Sequence, residues 1–331
     1  MSNDGNEQRK GEPMSNATTE VFFREAYNDT GIEFDTTRKA DWVAKSLVQQ
    51  PIDGVTIVAP SAEHHAATER WLERVHDAEY LEALVTGTPS ELAESNGIGW
   101  DERLLGAVTA STAGVYAAVL SALASGGATG SLSSGLHHAR FEKGRGYCTV
   151  NGVALGALVA AEELDGARVL VLDLDAHGGG GTASLLDQHD RAGSIRQVDV
   201  AVSTFDGDYP IGPERVRRIV RARPDEAHDT YLDAVREVLA AEADNEYGLV
   251  LYNAGMDPHE GAGGMKGITT ATLVERERIV FEWAAERGLP IAFTLAGGYL
   301  YGVSKPELVD LHRVTITEAA ALNAARNPEG N

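Results

Sequence analysis

Val169-Leu170-Val171-Leu172-Asp173-Leu174-Asp175-Ala176-His177-Gly178 is the stretch whose reading decides the fold. Four apolar residues run straight into Asp-x-Asp-x-His, and glycines at 178–181 close it. An unbroken apolar run bounded by glycine predicts a strand buried on both faces. In an open parallel sheet, ligands bind beyond the carboxyl ends of the strands, where Asp173, Asp175 and His177 fall. Residues two apart on a strand point to the same side. Asp175 and His177 therefore converge if the extended backbone continues through them. A carboxylate beside an imidazole is a ligand pair for a divalent ion such as zinc. From these residues alone, a metal site and a simple buried Asp–His hydrogen bond stand level.

Outward from this stretch, strand and helix patterns alternate. Alanine-rich apolar segments at 104–123 and 150–164 predict buried helices. Residues 126–135 have room for one short strand. Toward the C-terminus, strands are predicted at 198–203, 247–253 and 290–295, and helices at 230–242, 270–287 and 307–325. Residues 205–213 read as loop. Such alternation is the signature of a parallel α/β sheet. Toward the N-terminus, 55–59 is a short strand. Ser61 is a helix N-cap for the segment carrying His64 and His65. Adjacent helical residues point about 100° apart, so these two histidines are assigned to a solvated face. Residues 86–101 read mostly as a loop, long enough to be functional. The polar stretch 1–20 has almost nothing to bury and reads as a disordered tail. Residues 21–326 then form one domain, with no repeat and no linker.

The 331 residues allow one large α/β domain. The net charge of −22 disfavours nucleic acid and anionic membrane as partners, because like charges repel. It fits either a salty cytoplasm or simple solubility. Cys148 is the single cysteine, so no internal disulfide forms. No apolar run reads as a bilayer span and no apolar signal core stands at the N-terminus, so the expected location is the cytoplasm. A homo-oligomer stays open.

Three further junctions carry polar residues at strand ends. They are Gly135-Leu136-His137-His138-Ala139, Asn253-Ala254-Gly255-Met256-Asp257 and Leu295-Ala296-Gly297-Gly298-Tyr299. Taken singly, His137-His138 reads as satisfied loop polarity, Tyr299 as packing and Asp257 as a helix cap. Four junctions on one edge of a sheet favour an active site.

These motifs, with the stretch GLHHARFEKGRGYCTVNG at 135–152, resemble in kind and order those of the zinc-dependent histone deacetylase family. That superfamily includes histone deacetylases, acetylpolyamine amidohydrolases and acetoin-utilisation proteins. The resemblance covers about residues 75–299. It implies a single-domain, three-layer α/β/α fold around a mostly parallel sheet, of the arginase/deacetylase type.

The resemblance also implies roles. Asp175, His177 and Asp257 would hold one zinc, or ferrous iron or another divalent ion, with a position left open for water and substrate. His138 would be the general base, and His137 its neighbour held by Asp173. Tyr299 would donate to the developing oxyanion. Gly146 and Tyr147 would line a narrow substrate tunnel, with Tyr209 as the opposite wall and Asp101 as a rim aspartate. A potassium ion would sit at Asp173, Asp175, His177, Ser203 and Thr204. The implied reaction is metal-dependent hydrolysis of an acetyl amide. The substrate would be an acetylated small amine, polyamine-like, or an acetyl-lysine peptide. His76, His189, His228 and His312 receive no role, and His259 reads as loop surface.

The chain departs from the family in three places. The family has a second histidine after the ligand histidine, then glycine and an aspartate or asparagine that orients the base. Here glycines stand at 178–181, so nothing nearby in sequence orients His138. Gly261-Ala262-Gly263-Gly264 replaces the Asp-bearing run that often follows the last ligand. The early proline-rich segment is absent. Two rival readings follow. Asp175-Ala176-His177 is similar to the Asp-Ala-His of two-metal ureohydrolases of the arginase type, but their further carboxylates are missing. The glycine run also suits a non-catalytic module that grips acyl-lysine or metal without hydrolysis.

Overall fold

A computed structural model describes residues 18–327. Eight strands form one sheet: β1 (Thr19–Phe22), β2 (Val55–Val58), β3 (Ala128–Ser131), β4 (Arg168–Asp173), β5 (Ile195–Ala201), β6 (Arg215–Ile219), β7 (Tyr247–Asn253) and β8 (Ile291–Thr294). Their order is β2-β1-β3-β8-β7-β4-β5-β6, and every pairing is parallel. Helices cover both faces, giving three layers.

β4 explains the layering. Val169, Leu170, Val171 and Leu172 are all fully buried. Val169 and Val171 join the core beneath the helices Leu104–Ser125 and Gly152–Glu163. Leu170 and Leu172 join the opposite core with Val235, Val280 and Ile316. One strand feeds two cores because its side chains alternate, which is why its sequence is apolar without interruption.

Both cores contribute to the placement of the site. β4 lies between β5 and β7. The carboxyl ends of β4 and β7 therefore lie side by side, and they bring Asp175 and Asp257 together. Behind them, Arg276 donates to the carbonyls of Leu174 (3.2 Å) and Gly255 (2.6 Å). This fully buried arginine is paired with the equally buried Glu277 at 2.5 Å. It ties the loops that carry Asp175 and Asp257 from below.

Four expectations are corrected. β1 already includes Thr19 and Glu20, so order begins before residue 21; residues 1–17 lie outside the described residues. The helix Leu104–Ser125 has the length and apolarity of a membrane span. It is instead a core helix, with Ala113, Val115, Ala118 and Val119 buried. β6 was hidden by its arginines, since Arg215-Val216-Arg217-Arg218-Ile219 lacks a clean apolar alternation. His259 is buried, not surface, and its Nδ1 accepts from the Gly261 amide at 3.0 Å.

Candidate active site

β4 ends at Asp173, so the extended backbone does not carry Asp175 and His177 to one point. A chain of turns does. Asp173 Oδ1 accepts from the Asp175 amide (3.2 Å), and Asp175 Oδ1 accepts from the His177 amide (3.0 Å). Aspartate side chains commonly cap the backbone two residues on in this way. The result brings His177 Nδ1 to 3.1 Å from Asp175 Oδ1 and 3.2 Å from Asp257 Oδ2.

Asp257 is fully buried and pinned. Its Oδ1 accepts from the Ala176 amide at 2.9 Å, while its Oδ2 faces no polar group but the His177 ring among the described residues. An orphaned carboxylate oxygen in the interior is costly unless a charge faces it. The ligand atoms of Asp175, His177 and Asp257 lie within 4.8 Å of one another. Burial raises both carboxyls. For Asp175 the nearby His137 and His177 outweigh burial and hold it well below the usual range. For Asp257 burial prevails, with the Asp175 charge adding to it. Burial opposes protonation of His177, but hydrogen bonds to both aspartates raise it to about 11. Two acids and an imidazole that gather a proton this strongly fit a divalent cation, which would take that proton's place.

Around this cluster stand the twin imidazoles. His137 Nδ1 lies 2.7 Å from Asp173 Oδ2, and Asp173 Oδ1 accepts from Asn253 Nδ2 at 2.8 Å. Burial pulls His137 down, yet Asp173 and Asp175 overcome it and lift it to about 10. Its Nε2 stands 3.1 Å from His138 Nε2 and 3.6 Å from Asp175 Oδ1. Burial, then the His137 charge, lowers His138 to about 4, so His138 is a neutral base at pH 7. The second close grouping of possible ligand atoms, His137, His138 and Asp175, shares Asp175 with the first.

His138 does have an orienting acid. Its Nδ1 lies 3.0 Å from Asp206 Oδ2. Asp206 comes from the loop after β5, remote from the glycine run in sequence. His76, which received no role, supports the same turn from outside. Its Nδ1 faces the Arg140 carbonyl at 2.9 Å, and its Nε2 accepts from the Asn151 amide at 3.0 Å.

A pocket of about 460 Å³ opens over the cluster. His138, His177, Gly146, Tyr147, Tyr299 and Phe205 line it, with Ser95, Asn96, Gly97 and Arg145. Gly146 holds φ +53° against His138; a Cβ there would stand 2.9 Å from the Phe205 ring. Tyr147 packs on Phe34 with ring centroids 4.6 Å apart. Burial and the two aspartates raise Tyr299 well above the ordinary phenol, so it stays a donor.

Two expected wall residues are elsewhere. Tyr209 is buried and donates its hydroxyl to Asp199 at 2.6 Å, so the wall opposite Tyr147 is Phe205. Asp101 is held by Arg103 at 3.2 Å, outside the lining. Ser203 lies by the cluster through its amide, which donates to the Ala176 carbonyl at 2.8 Å, while Thr204 is exposed.

The histone deacetylase domain model matches residues 35–309, most of the chain. The chain belongs to the histone deacetylase family. It is 29% identical over 239 residues to an uncharacterised protein of a Picosynechococcus strain, covering 69% of this chain and 75% of that one. It is 30% identical over 207 residues to the histone deacetylase-like amidohydrolase of Pseudomonas aeruginosa, covering 59% of this chain and 53% of that one. It is 30% identical over 175 residues to histone deacetylase 2 of Arabidopsis thaliana, covering 51% of this chain and 43% of that one. The chain thus spans about half the length of these two curated deacetylases. The fold superposes on an acetylpolyamine aminohydrolase from Burkholderia pseudomallei with a TM-score of 0.68 at 17% identity, over 92% of this chain and 99% of that one. The arginase/deacetylase-type architecture of this histone deacetylase family member is therefore the one that its strand-end motifs imply.

Proposed function

We propose that this family member is a zinc-dependent deacetylase that hydrolyses the acetyl amide of a lysine-like or polyamine-like amine. The observation that carries the reading is the convergence of Asp175, His177 and Asp257 at the floor of a pocket walled by Tyr147, Phe205 and Tyr299. Asp175, His177 and Asp257 would hold the ion. When bound there, a divalent ion supplies Lewis-acid polarisation of the amide carbonyl and lowers a water's pKa from about 16 toward roughly 7.

The remaining work falls to side chains. His138 Nε2 takes a proton from the attacking water, then delivers one to the leaving nitrogen. A base of this kind contributes about 10²–10⁴-fold. His137, cationic and held by Asp173, sets the field beside it. The Tyr299 hydroxyl donates to the oxygen on which negative charge develops. The aromatic walls exclude water and admit a slim chain. Potassium at Asp173, Asp175, His177, Ser203 and Thr204 belongs to the same proposal; the support is the Ser203 segment folding back on Ala176.

The arginase-like reading is not favoured. The positions after His177 hold no carboxylate, and the two candidate clusters share Asp175. The binding-module reading loses its chief support, because Asp206 supplies the base's partner that the glycine run lacks. The test is turnover of an acetyl-lysine reporter and of acetylpolyamines by zinc-loaded protein, which should appear for at least one of them. Silence on every acetylated and short-chain acylated amine overturns the reading.

A further inference from the structure

We infer that Asp206 is the positioning residue that fixes the tautomer and direction of His138, and that Gly178 and Gly180 leave the room its loop occupies. The chemistry rests on the deacetylase reading above; the choice of residue rests on geometry alone.

The Asp206 side chain is fully buried; three donors converge on it, and a second guanidinium stands beside it. Oδ2 receives His138 Nδ1 at 3.0 Å and the Gly181 amide at 3.2 Å. Oδ1 receives Arg140 and lies 3.2 Å from Arg145 Nε. The two guanidiniums keep this acid ionised in the interior. An ionised carboxylate only accepts. His138 Nδ1 must then carry the hydrogen, which leaves Nε2 with its lone pair on the side of Asp175.

The glycines are the complement of this loop. A Cβ at Gly180 would strike the Asp206 carbonyl oxygen first and lie 2.8 Å from both Cγ and Oδ1 of its side chain. One at Gly178 would lie 2.7 Å from the Gly207 Cα, and one at Gly181 would strike the His138 carbonyl. The Gly178 amide donates to the Phe205 carbonyl at 3.0 Å, which seals the two segments together. A side chain at 180 therefore conflicts with the residue 206 backbone as well as with the Asp206 carboxylate. Asp206 itself holds φ +51°, a left-handed conformation that aspartate tolerates better than most non-glycine residues. Its neighbour Phe205 walls the pocket, and Arg145 lies over that ring at 5.2 Å. Wall and base-holder are one unit.

The test combines ¹⁵N-histidine NMR with steady-state kinetics on the full chain. His138 is assigned by its loss in His138→Gln. Wild type should show His138 protonated at Nδ1. Asp206→Ala should lose that fixed tautomer and about ten- to a hundredfold in kcat, with zinc stoichiometry unchanged. If Asp206→Ala does not fold, the isosteric Asp206→Asn should still lower kcat. A wild-type His138 protonated at Nε2, or unchanged kcat in a folded Asp206 variant of a working enzyme, overturns the assignment. A wild type with no turnover sinks the deacetylase reading instead, and the tautomer still decides the place of Asp206.

Discussion

Gly255 lies so close to Asp175 that a Cβ at position 255 would fall against the Asp175 Cα and 2.9 Å from its Cβ. The separation of the two ligand-bearing loops is thus set by the absence of one side chain. Gly255→Ala should push β7 from β4 at this end and spread Asp175 from Asp257. Changes just outside a ligand shell cost about 10–100-fold in metal affinity. Competitive zinc titration against a chelator should show a loss of that size, and an unchanged Kd would mean the loops can give.

Tyr299→Phe removes a donor and keeps the ring that packs on Phe34 and Tyr147. Losing one oxyanion donor costs about 10²–10³ in kcat. The variant should keep its zinc, measured by atomic absorption, and its fold, while kcat falls by that factor. Retained turnover would assign Tyr299 to packing.

Arg276 and Glu277 are both fully buried, and Arg276 bridges Leu174 and Gly255. Arg276→Met leaves Glu277 as an unpaired interior charge and frees both loops. Breaking such a pair costs about 3–5 kcal/mol. Urea unfolding should show that loss in Arg276→Met and a smaller one in Arg276→Met/Glu277→Leu, because the second change removes the stranded charge. Equal losses would place the effect in the bridging hydrogen bonds.

His76 gives the fold an acid-sensitive point. Burial lowers it from 6.5 to about 4, against the hydrogen bond to Arg140. Its folded pKa lies below its unfolded one, so the unfolded chain binds the proton first. The stabilisation is complete above pH 6.5 and is lost as pH falls toward 4. The interval corresponds to about 3 kcal/mol. Urea melts between pH 7 and pH 4 should show this slope, and His76→Gln should flatten it; an identical slope in the variant would clear His76.

Legibility in the sequence followed distance along the chain. Asp173, Asp175 and His177 were readable because one strand end carries all three, and Asp257 and Tyr299 because each follows its own apolar run. Asp175 and His177 come together through side-chain-capped turns, however, and not through strand alternation. Asp206 and Phe205 were missed because a loop residue announces its destination only through what it packs on. The signal was present: a glycine run after a ligand histidine is a cleared volume, and Thr204-Phe205-Asp206-Gly207 is a turn-forming segment able to fill it. Tyr209 was misplaced for the same reason, since the loop turns at Asp206 and sends the tyrosine to Asp199. His76 was invisible because a neutral buried histidine looks like any other in sequence.

The central claim is that Asp175, His177 and Asp257 hold one catalytic ion. The most direct measurement is deacetylation of acetyl-lysine and acetylpolyamine substrates by metal-stripped protein titrated with zinc. Turnover should rise until one zinc per chain is bound, and Asp257→Asn should abolish both binding and turnover. Turnover that ignores zinc, or full zinc binding in Asp257→Asn, would contradict the account.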